Sequence, residues 1–507
     1  MDMIRSGQED DFDMDTLHLL GFDFGASSGR AMLGTYDGQT LQLEELHRFS
    51  NDPVMLNGRF VWDIQRLFFE MKAALLKAVK AGIKLDGIGI DTWGVDFGLL
   101  DQNGRMLGVP VHYRDARTDG MMEEAFKTMP KEEIFEATGL AFMQFNTLYQ
   151  LLAMKKENDP TLDIASTLLF TPDLLAYFLT GEKATEYTIA STSQLIDPHK
   201  RDWAWGLIEK FGLPARMFTK IQPAGTVRGL LLKEIADEIG MEQVPVIAVG
   251  SHDTASAVAA VPAREGDSFA YISSGTWSLL GAEITEPLSS VEVMKANYTN
   301  EGGINGTTRL LKNIMGLWMI QECKREWDRR ADAVDFAGLV ALAEKAPAFK
   351  AVIDVDDTRF LAPGDMPARI QQYCRETNRP VPEGRGEISR VIYESLALKY
   401  RWAIERLEED LLHRKIDVLH IVGGGSKNLM LNRMTASAIN RPVVAGPSEG
   451  TVIGNLLVQA VALGRISSIA EMRKVVAASF ENDEYRPEGD PAAWDAAYAR
   501  LLALINR

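Results

Sequence analysis

LHLLGFDFGASSGRAMLGTY, residues 17–36, contains an apolar strand over Leu17–Phe24, a turn of small residues, and a second strand over Ala31–Tyr36. The Asp37-Gly38 pair then predicts a tight reversal into a third strand, Leu41–His47. The first turn is not a Walker phosphate loop, because GxxxxGK[ST] is absent and a strand rather than a helix follows it. The opening therefore predicts an antiparallel meander with a small-residue turn at its first corner.

The same arrangement recurs roughly 250 residues later, which favours two similar α/β domains over a short-period repeat. Phe269–Ser273 predicts a strand, Ser274-Gly275-Thr276 a turn, and Trp277–Glu283 the returning strand. We therefore predict an N-terminal domain over residues 17–262 and a C-terminal domain over residues 263–507. Residues 1–16 are acidic and have no apolar run, and we expect a disordered tail there.

Composition excludes several classes of protein. The chain has 507 residues and a net charge of −17, which disfavours nucleic acid and anionic membranes as partners. No charge-free apolar stretch reaches the ~18 residues of a membrane helix. The two cysteines, Cys323 and Cys374, show no disulfide or zinc spacing, so we expect a reducing compartment, the cytoplasm.

Three turns rich in glycine and hydroxyl residues follow predicted strands, at Gly25–Gly29, Ser273–Thr276 and Gly423–Ser426. Phosphate groups need backbone N–H donors at close approach, and such residues supply both donors and room. Any single turn is more simply a structural turn. Three turns, two of them at matching positions of the two halves, indicate a cleft that binds nucleotide phosphates from both sides.

Two aspartates could carry chemistry in such a cleft. Asp23 precedes the first turn, where a carboxylate can hold Mg²⁺ or simply make local turn hydrogen bonds. Asp253 lies in the first turn of a predicted helix, where it can accept a proton from a substrate hydroxyl or only stabilise the helix. Ser251-His252-Asp253 is not a hydrolase triad, because three consecutive residues cannot align their side chains in the required order.

Other segments contain groups that bind polyols, each with a structural alternative. Trp93-Gly94 follows a strand, and Trp93 could equally be a core residue. Residues 113–117 could bind sugar, or Arg114, Asp115 and Arg117 could form a surface ion-pair cluster. A predicted helix over Lys312–Trp327 contains Asn313 and Gln321, which by periodicity resemble core-helix residues.

Ten motifs in this order resemble the FGGY family of carbohydrate kinases, from about Leu17 to beyond Gly454. They are GFDFGASSGR, GIDTWGVDFGLLD, YRDART, FNTLYQL, EYTIASTSQL, VGSHDTASAV, YISSGTWSLLG, TNEGG, LKNIMGLW and LHIVGGGSKN. The tetrapeptide Phe-Gly-Gly-Tyr that names the family is absent. The resemblance implies an actin-like ATPase fold, with two RNase H-like domains and a ligand cleft between them.

The resemblance also implies roles for individual residues. ATP would contact Ala26, Ser27, Ser28, Gly29, Arg30, Thr276, Gln321 and Gly424. A ketose would contact Gly94, His252, Thr254 and Asn313. Asp253 would be the catalytic base, and Asp23 would position Mg²⁺.

The implied activity is ATP-dependent phosphorylation of a ketose. Other sugar kinases of the family carry a Ser-Gly-Gln-Met-His-like stretch where this chain has Thr92-Trp93-Gly94-Val95-Asp96, and this difference favours the 1-hydroxyl of L-rhamnulose. The alternatives are another ketose, such as L-fuculose or L-xylulose, and a non-catalytic actin-like protein that binds ATP or sugar. The sequence leaves a monomer and a homodimer both open.

Overall fold

The computed structural model describes residues 16–330 and 333–505 of the chain. The acidic segment for which we expect disorder, residues 1–16, lies outside the described residues except for Thr16. Two large β-sheets organise the molecule, one in each half, and we number their strands β1 to β13 in chain order.

The first sheet has six strands in the spatial order β5-β6-β4-β1-β2-β3. Strand β1 pairs antiparallel with β2 and parallel with β4, and β2 pairs antiparallel with β3. The strands are Leu17–Phe24 (β1), Ser28–Tyr36 (β2), Leu41–Ser50 (β3), Gly87–Thr92 (β4), Thr226–Leu230 (β5) and Pro245–Ala248 (β6).

The second sheet has seven strands in the order β9-β10-β8-β7-β11-β12-β13. Strand β7 pairs antiparallel with β8 and parallel with β11, and β8 pairs antiparallel with β10. The strands are Phe269–Ser274 (β7), Trp277–Ile284 (β8), Thr299–Gly302 (β9), Thr308–Met315 (β10), Val418–Val422 (β11), Val443–Ala445 (β12) and Asp483–Tyr485 (β13).

The two sheets share a core pattern. In each sheet, an antiparallel meander is followed by two parallel strands. In the first sheet β4 pairs with β1 and β6 pairs with β4, and in the second β11 pairs with β7 and β12 pairs with β11. The repeat predicted from the two strand-turn-strand segments is therefore confirmed. The turns after β1 and β7 therefore occupy the same place in the two sheets.

Smaller hairpins and paired segments decorate the N-terminal half. They are Val54–Leu56 with Arg59–Val61, Phe97–Leu100 with Thr167–Phe170, Thr185–Glu186 with Ile221–Gln222, and Ile196–Asp197 with Asp202–Trp203.

Helices cover the sheets. In the N-terminal half they are Ile64–Lys80, Met121–Thr128, Lys131–Thr138, Thr147–Lys156, Thr161–Ile164, Thr171–Thr180, Tyr187–Ala190, Trp205–Lys210, Lys233–Ile239 and Asp253–Ala259. In the C-terminal half they are Val291–Lys295, Trp318–Arg329, Phe336–Lys345, Met366–Glu376, Gly384–Arg406, Leu429–Ile439, Gly450–Ala462, Ile469–Ser479 and Pro491–Ile505.

One helix of the C-terminal half completes the core of the first sheet. Gly450–Ala462 packs on β1, β4 and the helix Asp253–Ala259, and its apolar residues share a core cluster with Leu19 of β1. A Cβ on Gly454 would lie 1.8 Å from the Ser256 carbonyl oxygen, so only glycine permits this approach. The helix that begins at Asp253 is therefore fixed against a segment from the other half.

The predicted helix over Lys312–Trp327 is confirmed from Trp318 onward and wrong before it. Thr308–Met315 is a strand, and the helix begins at Trp318, beyond a turn at Gly316. Strand β10 is buried on both faces, so its sequence lacks the alternation of a half-exposed strand and resembles a helical segment. Asn313 and Gln321 consequently lie on different elements.

Within residues 16–330 and 333–505, no helix has both the length and the apolar character needed to cross a membrane.

Candidate active site

A cavity of about 460 Å³ opens between the two halves, and residues of both halves line it. Nine of the residues predicted to bind ligands lie on its wall: Ala26, Arg30, Gly94, His252, Asp253, Thr254, Thr276, Asn313 and Gly424. Asp23, Ser27, Ser28, Gly29 and Gln321 are not on the wall. Asp23 pairs with Arg30 and Gln321 accepts from Thr276, while Ser27 and Gly29 are the chain neighbours of Ala26 and Arg30. The cavity thus brings together most of the candidates that the sequence suggested.

The first turn, residues 25–28, presents free amides. It is closed by a hydrogen bond of 2.8 Å from Gly25 N to Ser28 O and supported by Asn51, whose side chain donates to Gly25 O. Within the described part of the chain, the amides of Ala26 and Ser27 donate to no backbone carbonyl. Since Ser28 and Gly29 already belong to β2, Ala26 and Ser27 are the residues with donors to offer an anion.

Asp23 and Arg30 are paired across the β1–β2 hairpin. Arg30 donates to Asp23 Oδ2 from Nε at 3.0 Å and from Nη2 at 2.8 Å, and it also forms an ion pair with Glu449. Burial raises the pKa of Asp23, and Arg30 opposes that rise. Arg30 is therefore a neutralised cation at the cavity wall.

The second and third turns fit closely together. A Cβ on Gly425 would lie 1.9 Å from Ser274 Oγ, and a Cβ on Gly423 would lie 3.0 Å from Ser274 O. Gly423 has φ of 85°, a backbone conformation that glycine adopts without strain. A Cβ on Gly424, in contrast, would have no protein atom within 4 Å, because this residue faces open space.

Gln321 is linked to the cavity wall through Thr276. The Thr276 hydroxyl donates to Gln321 Oε1 at 3.3 Å, and the Trp318 amide donates to Thr276 O at 3.1 Å. The beginning of the helix Trp318–Arg329 thus supports the second turn from behind.

Asp253 is the first residue of its helix and leaves one carboxylate oxygen available. Its Oδ1 accepts from Thr254 N at 2.5 Å and from Thr254 Oγ1 at 3.1 Å. Over the residues that the structure describes, Oδ2 accepts no hydrogen bond, and the side chain is 35% exposed. An acceptor with a free lone pair thus stands in the cavity.

The loop before Asp253 is fixed by buried side chains. Glu186 accepts from Ser251 N at 3.2 Å, the Thr188 hydroxyl accepts from His252 N at 3.2 Å, and Thr92 N donates to Ser251 O at 2.9 Å. The segments that follow β4 and β6 are therefore held side by side.

His252 is oriented by a buried arginine that sequence reasoning missed. Arg309 is fully buried, and its Nη2 lies 3.0 Å from His252 Nδ1 and 3.1 Å from Glu301 Oε2. His252 Nδ1 also lies 3.2 Å from Glu301 Oε2, so a donor and an acceptor together hold this nitrogen and fix the orientation of the ring, and Nε2 lies 3.5 Å from Asp253 Oδ1. Burial favours the neutral form of Glu301, but Arg309 and His252 outweigh burial and hold the pKa of Glu301 below its usual value. Nothing in the sequence around Arg309 distinguishes it from a surface cation.

The Trp93-Gly94-Val95 turn lines the cavity beside the loop that precedes Asp253, since Thr92 forms a parallel bridge with His252. Asp96 accepts from the indole nitrogens of Trp62 at 2.6 Å and Trp93 at 3.0 Å. Burial raises the pKa of Asp96 to about 6, while these hydrogen bonds oppose the rise. Trp93 is both buried and on the cavity wall, so the core and binding interpretations each hold in part.

Val95 has φ of 68°, an unusual conformation for a β-branched residue. Thr192 Oγ1 accepts from Val95 N at 3.0 Å and Thr147 Oγ1 donates to Val95 O at 2.7 Å, and together they hold the strained turn. A Cβ on Gly94 would lie 3.1 Å from Thr192, so the bare backbone of Gly94 also serves this packing. Strain maintained at a cavity wall is typical of binding sites.

The ion-pair cluster considered for residues 113–117 does not form. Asp115 is buried, accepts from Phe60 N at 2.8 Å and lies 3.3 Å from Arg59, while Arg117 donates to Gln150. Arg114 is left facing the cavity.

The described residues contain no group of three or more His, Cys, Asp or Glu side chains arranged to hold a metal ion. Asp253 lines the cavity and Asp23 lies behind its wall, near enough that the charge of Asp253 adds to the rise that burial causes in the pKa of Asp23. That arrangement fits Mg²⁺, which proteins bind with one or two carboxylates while phosphates and waters complete its coordination.

Comparison with known proteins gives concordant matches. Residues 18–260 match the family model for the N-terminal domain of the FGGY family of carbohydrate kinases, and residues 270–463 match that for its C-terminal domain. A rhamnulokinase of Bacteroides thetaiotaomicron is 44% identical over 484 residues, covering 96% of this chain and 98% of that protein. A rhamnulokinase of Oceanobacillus iheyensis is 45% identical over 462 residues, covering 91% and 97%.

Solved structures agree on the fold. A ligand-bound xylulose kinase from Lactobacillus acidophilus superposes with a TM-score of 0.77 at 16% identity, covering 96% of this chain and 97% of that chain. Plasmodium falciparum glycerol kinase with ADP gives 0.78 at 17% identity, covering 97% and 98%. The expected actin-like ATPase fold is confirmed.

Proposed function

This chain belongs to the FGGY family of carbohydrate kinases and is a sugar kinase, and from that premise we propose that it transfers the γ-phosphoryl group of ATP to the 1-hydroxyl of L-rhamnulose. Relatives named rhamnulokinase, 44–45% identical over more than nine-tenths of the chain, support this substrate. The observation that carries the proposal is the free carboxylate oxygen of Asp253, which shares one cavity with the amide-rich turns of both halves.

Asp253 is the catalytic base in this proposal. Its free Oδ2 accepts the proton of the sugar 1-hydroxyl, and the hydroxyl oxygen then forms a bond to the γ-phosphorus. The bond between that phosphorus and the β,γ-bridging oxygen breaks in line, and ADP leaves with the electron pair. Because Thr254 fixes Oδ1, the carboxylate presents one defined oxygen to the sugar.

The sugar binds between Asp253 and the Trp93-Gly94-Val95 turn. His252 presents Nε2 to the sugar, and Arg309 and Glu301 hold the ring in this orientation. Thr254 and Asn313 add a hydroxyl and an amide on the same wall. These uncharged groups recognise the sugar hydroxyls by hydrogen bonding. They add no negative charge, which would make the 1-hydroxyl harder for Asp253 to deprotonate.

The nucleotide phosphates bind to backbone groups. The free amides of Ala26 and Ser27 approach them from the N-terminal half. The Thr276 hydroxyl and the open face of Gly424 meet the nucleotide from the C-terminal half. Gln321 acts by holding Thr276.

Asp23, with the charge of Asp253 nearby, would hold Mg²⁺. When bound, this ion offsets the negative charge of the phosphoryl oxygens. We place the reaction in the cytoplasm, which supplies ATP, and both cysteines of the chain are free and buried.

The test is a panel of ketoses with purified protein, ATP and Mg²⁺. We expect the highest kcat/KM with L-rhamnulose, above L-fuculose and L-xylulose, and phosphorus NMR should locate the phosphate on O1. Preference for another ketose would overturn the substrate assignment, and ATP turnover that no ketose stimulates would overturn the proposed reaction.

A further inference from the structure

Resting on the sugar-kinase function proposed above, we propose that Arg114 binds the phosphoryl group as it passes from ATP to the sugar. Its guanidinium would donate hydrogen bonds to the non-bridging oxygens of that group. Neither the family motifs nor the sequence pattern assigned it this role.

The charges on the cavity wall support this role. Arg30, Arg114 and His252 are the basic side chains among the residues that line the cavity. Arg30 is neutralised by Asp23 and Glu449, and His252 faces Glu301. Arg114 forms no ion pair with any carboxylate in residues 16–330 and 333–505, so its charge is available to a ligand.

Its position between the two halves also fits. The Arg114 guanidinium lies 5.5 Å from the ring centre of Tyr113 and 5.9 Å from that of Trp318. Trp318 belongs to the C-terminal half, and its amide donates to the Thr276 carbonyl of the nucleotide-side turn. Arg114 therefore belongs to the half that carries the sugar-side turn and contacts Trp318, which is hydrogen-bonded to Thr276 on the turn proposed to bind the nucleotide.

The same segment is close to the base. Tyr113, Arg114 and Asp253 line the same cavity. Burial raises the pKa of Tyr113, the adjacent Arg114 opposes the rise, and the charges of Asp96 and then Asp253 add to it. A group transferred to an oxygen beside Asp253 thus passes near the residue pair Tyr113-Arg114.

Phosphoryl transfer requires such a cation. Negative charge spreads over the non-bridging oxygens in the transition state, and an arginine fork donates to two of them at once. With Asp23, Asp253 and Glu301 all acidic, the cavity otherwise offers the migrating group few unpaired positive side chains. The bonds formed and broken in phosphoryl transfer stay the same, because Arg114 donates hydrogen bonds and neither gains nor loses a proton.

The competing interpretation is that Arg114 only stacks on Trp318 and holds the halves together. The chain offers a control, since Arg325 lies 5.8 Å from the centre of the same ring but pairs with Glu322. Arg325 is not on the cavity wall. Glu322 retains a hydrogen bond from Gly364 N when Arg325 is replaced.

The experiment compares the parent, Arg114→Gln, Arg114→Lys and Arg325→Gln, using the best ketose of the panel. We measure kcat, the ketose Kd by tryptophan fluorescence, and inhibition by ADP with aluminium fluoride and the ketose, which mimics the migrating phosphoryl group. Thermal unfolding confirms that each variant is folded.

We expect Arg114→Gln to lower kcat about 10²–10³-fold, the cost of removing one transition-state donor. It should weaken inhibition by the aluminium fluoride complex at least ~10-fold and change the ketose Kd less than ~3-fold. Arg114→Lys should fall between, and Arg325→Gln should match the parent.

A kcat of Arg114→Gln within ~3-fold of the parent, or unchanged aluminium fluoride inhibition, would overturn the inference. So would a loss confined to ketose Kd, or an equal loss in Arg325→Gln. A parent that phosphorylates no ketose would instead refute the proposed function, so the two failures are distinguishable.

Discussion

Gly424 gives a sharp test of where the nucleotide lies. A Cβ at this position would meet no protein atom within 4 Å, and its backbone is outside the left-handed region. Gly424→Ala should therefore change the free energy of unfolding by no more than about 0.5 kcal/mol, as at an open surface site. Any larger effect of the added methyl group must arise from a ligand.

The expected effect on nucleotide binding follows from contact distances. A ligand atom that accepts a hydrogen bond from the turn approaches its backbone to about 3 Å, which leaves no room for a methyl group. We expect the Kd for ADP to rise at least ~10-fold, equivalent to about 1.4 kcal/mol. The ketose Kd should not change.

The neighbouring glycine is the matched control. A Cβ on Gly425 would lie 1.9 Å from Ser274 Oγ and 2.6 Å from Ser274 Cβ. Gly425→Ala should therefore destabilise the fold by about 1–3 kcal/mol through overpacking. Urea denaturation and calorimetric titration of ADP measure the two effects separately. An unchanged ADP affinity in Gly424→Ala would refute a nucleotide on this turn, and equal destabilisation of both variants would refute the packing argument.

Two further predictions concern buried charges. Arg309→Met leaves the buried Glu301 beside His252 but without its arginine and should cost about 3–5 kcal/mol in urea unfolding; a loss under about 1 kcal/mol would contradict the role of this pair. Asp96 has its pKa raised from 3.8 to about 6 in the fold, so its contribution to stability is present below pH 4 and is lost as pH rises through 6. Asp96→Asn should remove up to about 3 kcal/mol of the fall in unfolding free energy between pH 4 and 7; parallel pH profiles for the two proteins would contradict this.

Much of the strand framework could be predicted from local sequence. The bounds of β1 agree with the predicted Leu17–Phe24, because the apolar run ends at a glycine turn. The duplication could also be predicted, since it repeats a short local pattern. The domain boundary near residue 262 stays a prediction.

Features that depend on distant contacts could not be predicted. Strand β10 resembled a helix because both its faces are buried by segments far away in sequence. The helix Gly450–Ala462 packs on the first sheet although it lies in the sequence between strands β12 and β13 of the second sheet. Its sequence shows only that it is apolar, not which sheet it covers.

The candidate site likewise contains residues that could be predicted from the sequence and residues that could not. Asp253 and the three turns could be found because their residue types are unusual at strand ends. Arg309 and Asp96 could not, because a single charged residue in an apolar segment is usually exposed, and only the fold shows that His252 and Trp93 depend on them. Among the charged residues that follow Tyr113, Arg114 faces the cavity whereas Asp115 is buried and paired, and only the fold shows this difference.

The role of Asp253 is tested most directly by Asp253→Asn, with saturating ATP and ketose. Asparagine keeps the size of the side chain and an oxygen acceptor for Thr254, but it cannot take the hydroxyl proton. We predict that kcat falls at least about 10²-fold while the dissociation constants of ketose and nucleotide stay within ~3-fold of the parent. Turnover at the parent rate by this variant would contradict a base at position 253.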